Sequence, residues 1–164
     1  GRAFGTGQHA STALACAAIE RALASKKPAY MIDVGCGSGI LCFAALLLGL
    51  EKAWGGDTDP EAVEVANENA SALGLTSRVE FHTGSSELFK TAAPLVVANI
   101  ETHVLVPMAA SLGALVTPGG TLVLSGVLAT QREEITEAYT RAGFTAGRCD
   151  ERDGWVAPEF TRGA

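Results

Sequence analysis

Three glycines in five positions, Gly35, Gly37 and Gly39 of "VGCGSG", stand between two apolar runs. Glycines so spaced let main chain approach a ligand where side chains would collide with it, and the free N–H groups at the start of a following helix can face that ligand. The spacing separates candidate ligands. Dinucleotide-binding turns read G-x-G-x-x-G and phosphate-binding loops end in G-K-[ST], whereas this loop reads G-x-G-x-G with no such lysine. Asp57 lies 22 positions beyond Gly35, at the end of the next β-prone run. A carboxylate there can accept hydrogen bonds from both hydroxyls of a ribose.

A glycine loop without phosphate-binding equipment, paired with a ribose carboxylate, points to a nucleoside carrying something other than a diphosphate. S-adenosylmethionine meets that description. Taken singly, a glycine turn is often just a tight connection, and Asp59 before Pro60 is explained as a helix cap; the two features in this order argue for a site. A third residue joins them. The run "LVVANI" is apolar until Asn99, so an amide arrives where a buried parallel strand delivers side chains to a ligand crevice. His9, in a Gly-rich segment, either lines the substrate side or braces a loop. His82, within a strand, and His103, near a helix start, are weaker candidates for catalysis.

The elements that position these residues follow from periodicity. Strands are expected at Tyr30–Val34, Lys52–Gly56, Val79–Thr83, Leu95–Ile100, Thr121–Ser125, Phe144–Cys149 and Trp155–Phe160. Helices are expected at Ser11–Ser25, Ile40–Leu48, Pro60–Leu73, Val104–Leu115 and Gln131–Ala142, the third capped by Asp59 with Pro60 at its first position. Strand alternating with helix is the pattern of an α/β fold whose parallel sheet is covered on both faces. The turn dipeptide Asp153-Gly154 predicts that the last two strands form an antiparallel hairpin. Pro158 lacks an N–H for a ladder, which predicts that the final strand lies at an edge or ends early.

Composition bounds the rest. The chain has 164 residues, 48% of them hydrophobic, which fits a single domain at 1–164 with one sizeable core. A net charge of -6 and the lack of any Lys/Arg-rich run argue against direct nucleic-acid binding and against a membrane surface. The longest apolar run, residues 40–50, is half the roughly 20 residues needed to cross a bilayer, and the chain is expected to be soluble and cytoplasmic. Cys16, Cys36, Cys42 and Cys149 form neither a CxxC pair nor a metal-spaced cluster, so no metal is expected. Cys16 and Cys42, in apolar helical stretches, read as reduced core thiols. The chain begins at Gly1 rather than Met, as a piece of something longer would.

Together, "AFGTGQHAST", "IDVGCGSGIL", "GDTDPEAVEVANENA", "VVANI" and "LSGVLATQ" resemble the catalytic domain of the methyltransferases that modify large-subunit ribosomal protein eleven, over most of residues 3–156. "VGCGSG" and the acidic strand end are shared by many adenosylmethionine enzymes; "AFGTGQHAST" and "VANI" in this order are more specific. The resemblance implies a Rossmann-like class I S-adenosylmethionine-dependent methyltransferase fold, with a mostly parallel seven-stranded sheet. It implies that Thr12, before the first helix, contacts the methionine end of the cofactor, that Gly35 and Gly37 supply close backbone approach, and that Asp57 holds the ribose. Asn99 would border both the methyl group and the nucleophile, and so serve cofactor binding and catalysis alike.

The sequence departs from the family at Ser11, which replaces the first of two paired threonines, and at Glu101, where an apolar or aromatic residue is usual and acceptor choice could differ. The family also carries a separate substrate-recruiting domain before this region, and the 164 residues include none. The implied activity is transfer of methyl groups to amines of a ribosomal protein. The alternatives are a methyltransferase of the same fold acting on a small molecule or another protein, and a non-catalytic cofactor-binding remnant. The sequence leaves the methyl acceptor, the number of methyl groups and the oligomeric state open.

Overall fold

The computed structural model describes residues 7–164. The first half runs α1 (Gly7–Lys26), β1 (Tyr30–Val34), α2 (Ile40–Leu47), β2 (Lys52–Asp57), α3 (Pro60–Ala72), β3 (Val79–Thr83) and β4 (Ala93–Asn99). The second runs α4 (Thr102–Leu105), α5 (Ala109–Leu115), β5 (Val116–Ser125), β6 (Val127–Leu128), α6 (Arg132–Arg141), β7 (Phe144–Arg152) and β8 (Trp155–Arg162). One mixed sheet results. β3-β2-β1-β4-β5 pair in parallel, and β8 joins β5 antiparallel. β5 and β6 line one edge of β8 in succession while β7 takes the other.

Eight strands replace the seven expected because the chain turns at Gly126, where φ is 81°, and resumes pairing with β8 for two residues. The Pro158 expectation also fails: β8 continues to Arg162 and lies between β5/β6 and β7. The missing N–H falls where pairing with β5 and β6 lapses between Val156 and Glu159, and where the β7 register shifts between Ala146 and Cys149. A proline is tolerated at such an irregularity because no ladder bond is asked of it.

Alternate residues of each buried strand enter different cores. Met31, Leu95, Val97 and Val123 pack with α1, α2 and α3. Ile32, Val96, Ala98 and Leu124 pack with α4, α5 and α6. The helix expected at Val104–Leu115 is two helices, because Pro107 has no N–H to donate and its ring crowds the carbonyl four residues back. α1 begins four residues earlier than expected, which places Ser11 and Thr12 in its second turn.

Two helix directions diverge at the centre of the sheet. After β1 the chain passes to the α2 side, and after the neighbouring β4 it passes to the α4 side. Strand order reversing in this way opens a crevice beyond the carboxyl ends of β1 and β4.

Candidate active site

That crevice is a cleft of about 420 Å³, within the usual range for small-molecule sites. Its floor is the turn after β1. Gly35 and Gly37 hold φ values of 77° and 55°, a region side chains avoid. A Cβ on Gly35 would stand 2.9 Å from the Ile100 side chain, whereas one on Gly37 would meet nothing within 4 Å. Ile100 therefore rests on the first glycine and the second presents bare backbone to the cleft, which both residues line. Gly39 closes the turn as the N-cap of α2, beneath the rings of Phe43 and Phe81.

Asp57, the last residue of β2, braces this turn. Its Oδ2 accepts from Gly37 N at 2.8 Å and its Oδ1 from Asp59 N at 2.9 Å. Each oxygen keeps a second lone pair for a ligand hydroxyl. Asp59 in turn caps α3 by accepting from Glu61 N at 2.9 Å. Thr12, Gly35, Gly37, Asp57 and Asn99, all singled out by sequence, line the same cleft. His9 is exposed on α1 and is not among the lining residues, where its neighbour Gln8 appears instead. His82 is exposed on β3, with Nε2 3.4 Å from Glu80 Oε1. His103, weighted equally with His82 from sequence, does line the cleft.

Asn99 ends β4. Its Oδ1 is buried and has no hydrogen-bond partner, and a buried carbonyl left unpaired in a cleft is a place for a donor from a ligand.

Asp33 is the residue that sequence reasoning missed. It is fully buried on β1, lines the cleft, and accepts weakly from Cys42 Sγ at 3.7 Å through Oδ2, while Oδ1 is unpartnered. Burial pushes its carboxyl up to about 7, the Cys42 bond opposing and the charge of Asp57 assisting. The signal was an acid inside the apolar run "YMIDV". Cys42 is fully buried and Cys16 half-buried; burial first, and the Asp33 charge second, push both thiols up, which makes them poor nucleophiles.

A second missed residue is Gln131. Its Oε1 accepts from the buried Thr102 Oγ1 at 2.6 Å and from Leu128 N at 3.1 Å, tying the start of α4 to the chain after β5. Gln131→Ala is expected to cost about 1–3 kcal/mol of folding stability, since it strands a buried hydroxyl. Gln131→Glu, which accepts from the same donors, should retain most of it. Urea unfolding of the two variants checks this; equal losses would show that the bonds do not matter.

The family profile described as ribosomal protein L11 methyltransferase (PrmA) matches residues 1–163. The chain belongs to this family. A ribosomal protein L11 methyltransferase of Sorangium cellulosum is 46% identical over 140 residues, covering 85% of this chain and 44% of that protein. The crystal structure of a ribosomal protein L11 methylase from Lactobacillus delbrueckii subsp. bulgaricus superimposes with a TM-score of 0.88 at 29% identity, covering 95% of this chain and 80% of that one. A magnesium protoporphyrin IX methyltransferase of Synechocystis PCC 6803, solved with bound SAM, shares the fold at a TM-score of 0.74 and 18% identity, over 92% of this chain and 79% of its own. The fold of this family member is thus the class I methyltransferase fold. The chain spans about half the length of the curated relatives it matches. Among the described residues, no helix is long and apolar enough to cross a membrane and no His/Cys/Asp/Glu group is arranged to hold a metal ion.

Proposed function

We propose that this chain binds S-adenosylmethionine in the cleft and transfers its methyl group to amine nitrogens of a ribosomal protein. The observation that carries the reading is the charge of the lining: Asp57 and Glu101 contribute carboxylates, Asp33 adds a buried acid whose carboxyl is raised to about 7, and no Lys or Arg lines it among the described residues. Such a cleft repels phosphates and suits a cationic nucleoside. The residues fit that group. Asp57 has free lone pairs for a diol, Gly37 leaves open backbone beside it, Thr12 offers a hydroxyl from α1, and Asn99 offers an unpaired carbonyl at the far side.

Bound there, S-adenosylmethionine supplies a methyl group on a sulfonium, an electrophile with a neutral leaving group. The chain's own residues have then to place a nucleophile about 3 to 3.5 Å from that carbon and in line with it. An amine must also give up its proton to solvent before the transfer, because a lysine at its reference pKa of about 10.4 is almost wholly cationic at neutral pH. Asn99 Oδ1 accepts a hydrogen of the neutral amine and so aims its lone pair. Ile100, resting on Gly35, covers the turn beside it.

The family supports a ribosomal protein as the acceptor. Because the chain corresponds to about half of its relatives, we place substrate recruitment outside these 164 residues, which we take as one catalytic domain.

Isothermal calorimetry tests the cofactor. S-adenosylmethionine and its demethylated product are expected to bind and NAD is not. Asp57→Ala should weaken binding by about 1.5–3 kcal/mol, the range for hydrogen bonds to a charged group, and tight binding of NAD would overturn the reading.

A further inference from the structure

The three carboxylates of the cleft are not equivalent. Asp33 is fully buried beneath it, and both oxygens of Asp57 are already engaged, Oδ2 by Gly37 N of the glycine turn and Oδ1 by Asp59 N. Glu101 differs in position and in surroundings. It follows β4 rather than β1 or β2, two residues beyond Asn99, and its side chain is 31% exposed. It also stands just before α4, yet its carboxylate makes no capping bond to that helix. Its Oε2 lies 3.3 Å from Nδ1 of His103, which lines the same cleft with Val104 and Met108.

We propose that Glu101 is the acceptor-selecting residue of this chain: its carboxylate receives the alkylammonium of a lysine or an N-terminal amine on entry, before the ammonium proton passes to solvent and the neutral amine turns to Asn99, and it disfavours acceptors that enter uncharged or anionic. The inference rests on the methyl-transfer reading and adds to it a specificity that Asn99 does not supply, since an amide carbonyl accepts from a hydroxyl as readily as from an amine. Two features of the cleft support the assignment. We read the glycine turn and Asp57, after β1 and β2, as the cofactor half of the lining and the segment after β4, a separate stretch of it, as the half that faces the acceptor. No Lys or Arg lines either half among the described residues, so the ammonium has no competing cation of that kind on the wall. His103, the neighbour of Glu101 in the cleft, is 75% exposed and so free to turn away when an ammonium takes its place. Val104, 38% exposed, and Met108 give the aliphatic stem of a lysine apolar surface to lie against.

The test uses the chain saturated with S-adenosylhomocysteine and two peptides of one sequence, one with a free N-terminal amine and one lysine, the other with both nitrogens acetylated. Fluorescence anisotropy gives the two affinities. The unaltered chain is expected to prefer the free-amine peptide at least tenfold, and Glu101→Gln should cut that preference to about twofold, with S-adenosylhomocysteine affinity within twofold of the original. A general loosening of the cleft would weaken both peptides alike, and so would not move the ratio. A preference that survives Glu101→Gln, or no preference in the unaltered chain, overturns the assignment and leaves the cofactor reading standing. Failure of the unaltered chain to hold S-adenosylhomocysteine overturns both.

Discussion

Asn99→Ala is expected to lower the methylation rate about 10²–10³-fold while changing cofactor affinity less than about fivefold, a cost typical of deleting one group that orients or stabilises the reacting atoms. The side chain sits at the carboxyl end of β4, between the cofactor half of the cleft and the segment that carries Glu101 and His103. Its Oδ1 is buried without a partner, so the fold has already met the cost of desolvating a carbonyl whose reward comes only when an acceptor hydrogen reaches it. An interaction made late in the reaction shows in kcat. One made equally in the ground state shows in KM. Single-turnover transfer of labelled methyl to ribosomal protein L11, set beside calorimetry of the same variant, separates the two. Unchanged turnover would remove Asn99 from the chemistry.

Asp33 should give the chain an unusual pH dependence. Its carboxyl is raised by burial to about 7 in the folded protein, against 3.8 for the ordinary group, so between those values the folded state holds a proton that the unfolded state has lost. Stability from this group is therefore fully present below about pH 4 and is lost as pH rises through 7. At about 1.4 kcal/mol per pKa unit, the change is at most about 4 kcal/mol. Asp33→Asn keeps an acceptor for Cys42 Sγ and carries no charge, so the variant should gain stability relative to the unaltered chain as pH rises from 4 to 8. Urea unfolding of both chains across that range checks it; a constant difference would mean that Asp33 is not protonated in the folded state.

The order of strands and helices was legible because the apolar runs are long and alternate in period. β1 and β3 fall on the expected residues, and the ends of α2 and α3 differ by one. Legibility failed where the deciding contact is distant in sequence. Nothing local to Pro158 reveals that β7 and β8 slip past each other at that point. The sequence ranked His9 above His103 and the structure reverses the order, since a helix that starts at Gly7 sends one outward and a helix broken at Pro107 brings the other to the cleft.

By itself the sequence determined the α/β alternation, the glycine turn, and the placing of Asp57 and Asn99 at strand ends, because each follows from backbone preference and hydrophobic period acting over a few residues. Only the tertiary structure decided that Asp33 is buried beneath the cleft, that Gln131 ties the walls after β4 and β5, and that Glu101 is a cleft carboxylate with its own position among three. Burial, hydrogen-bond closure over 29 residues and electrostatic surroundings depend on what the folded chain brings alongside a residue, and the one-dimensional order does not contain that neighbourhood.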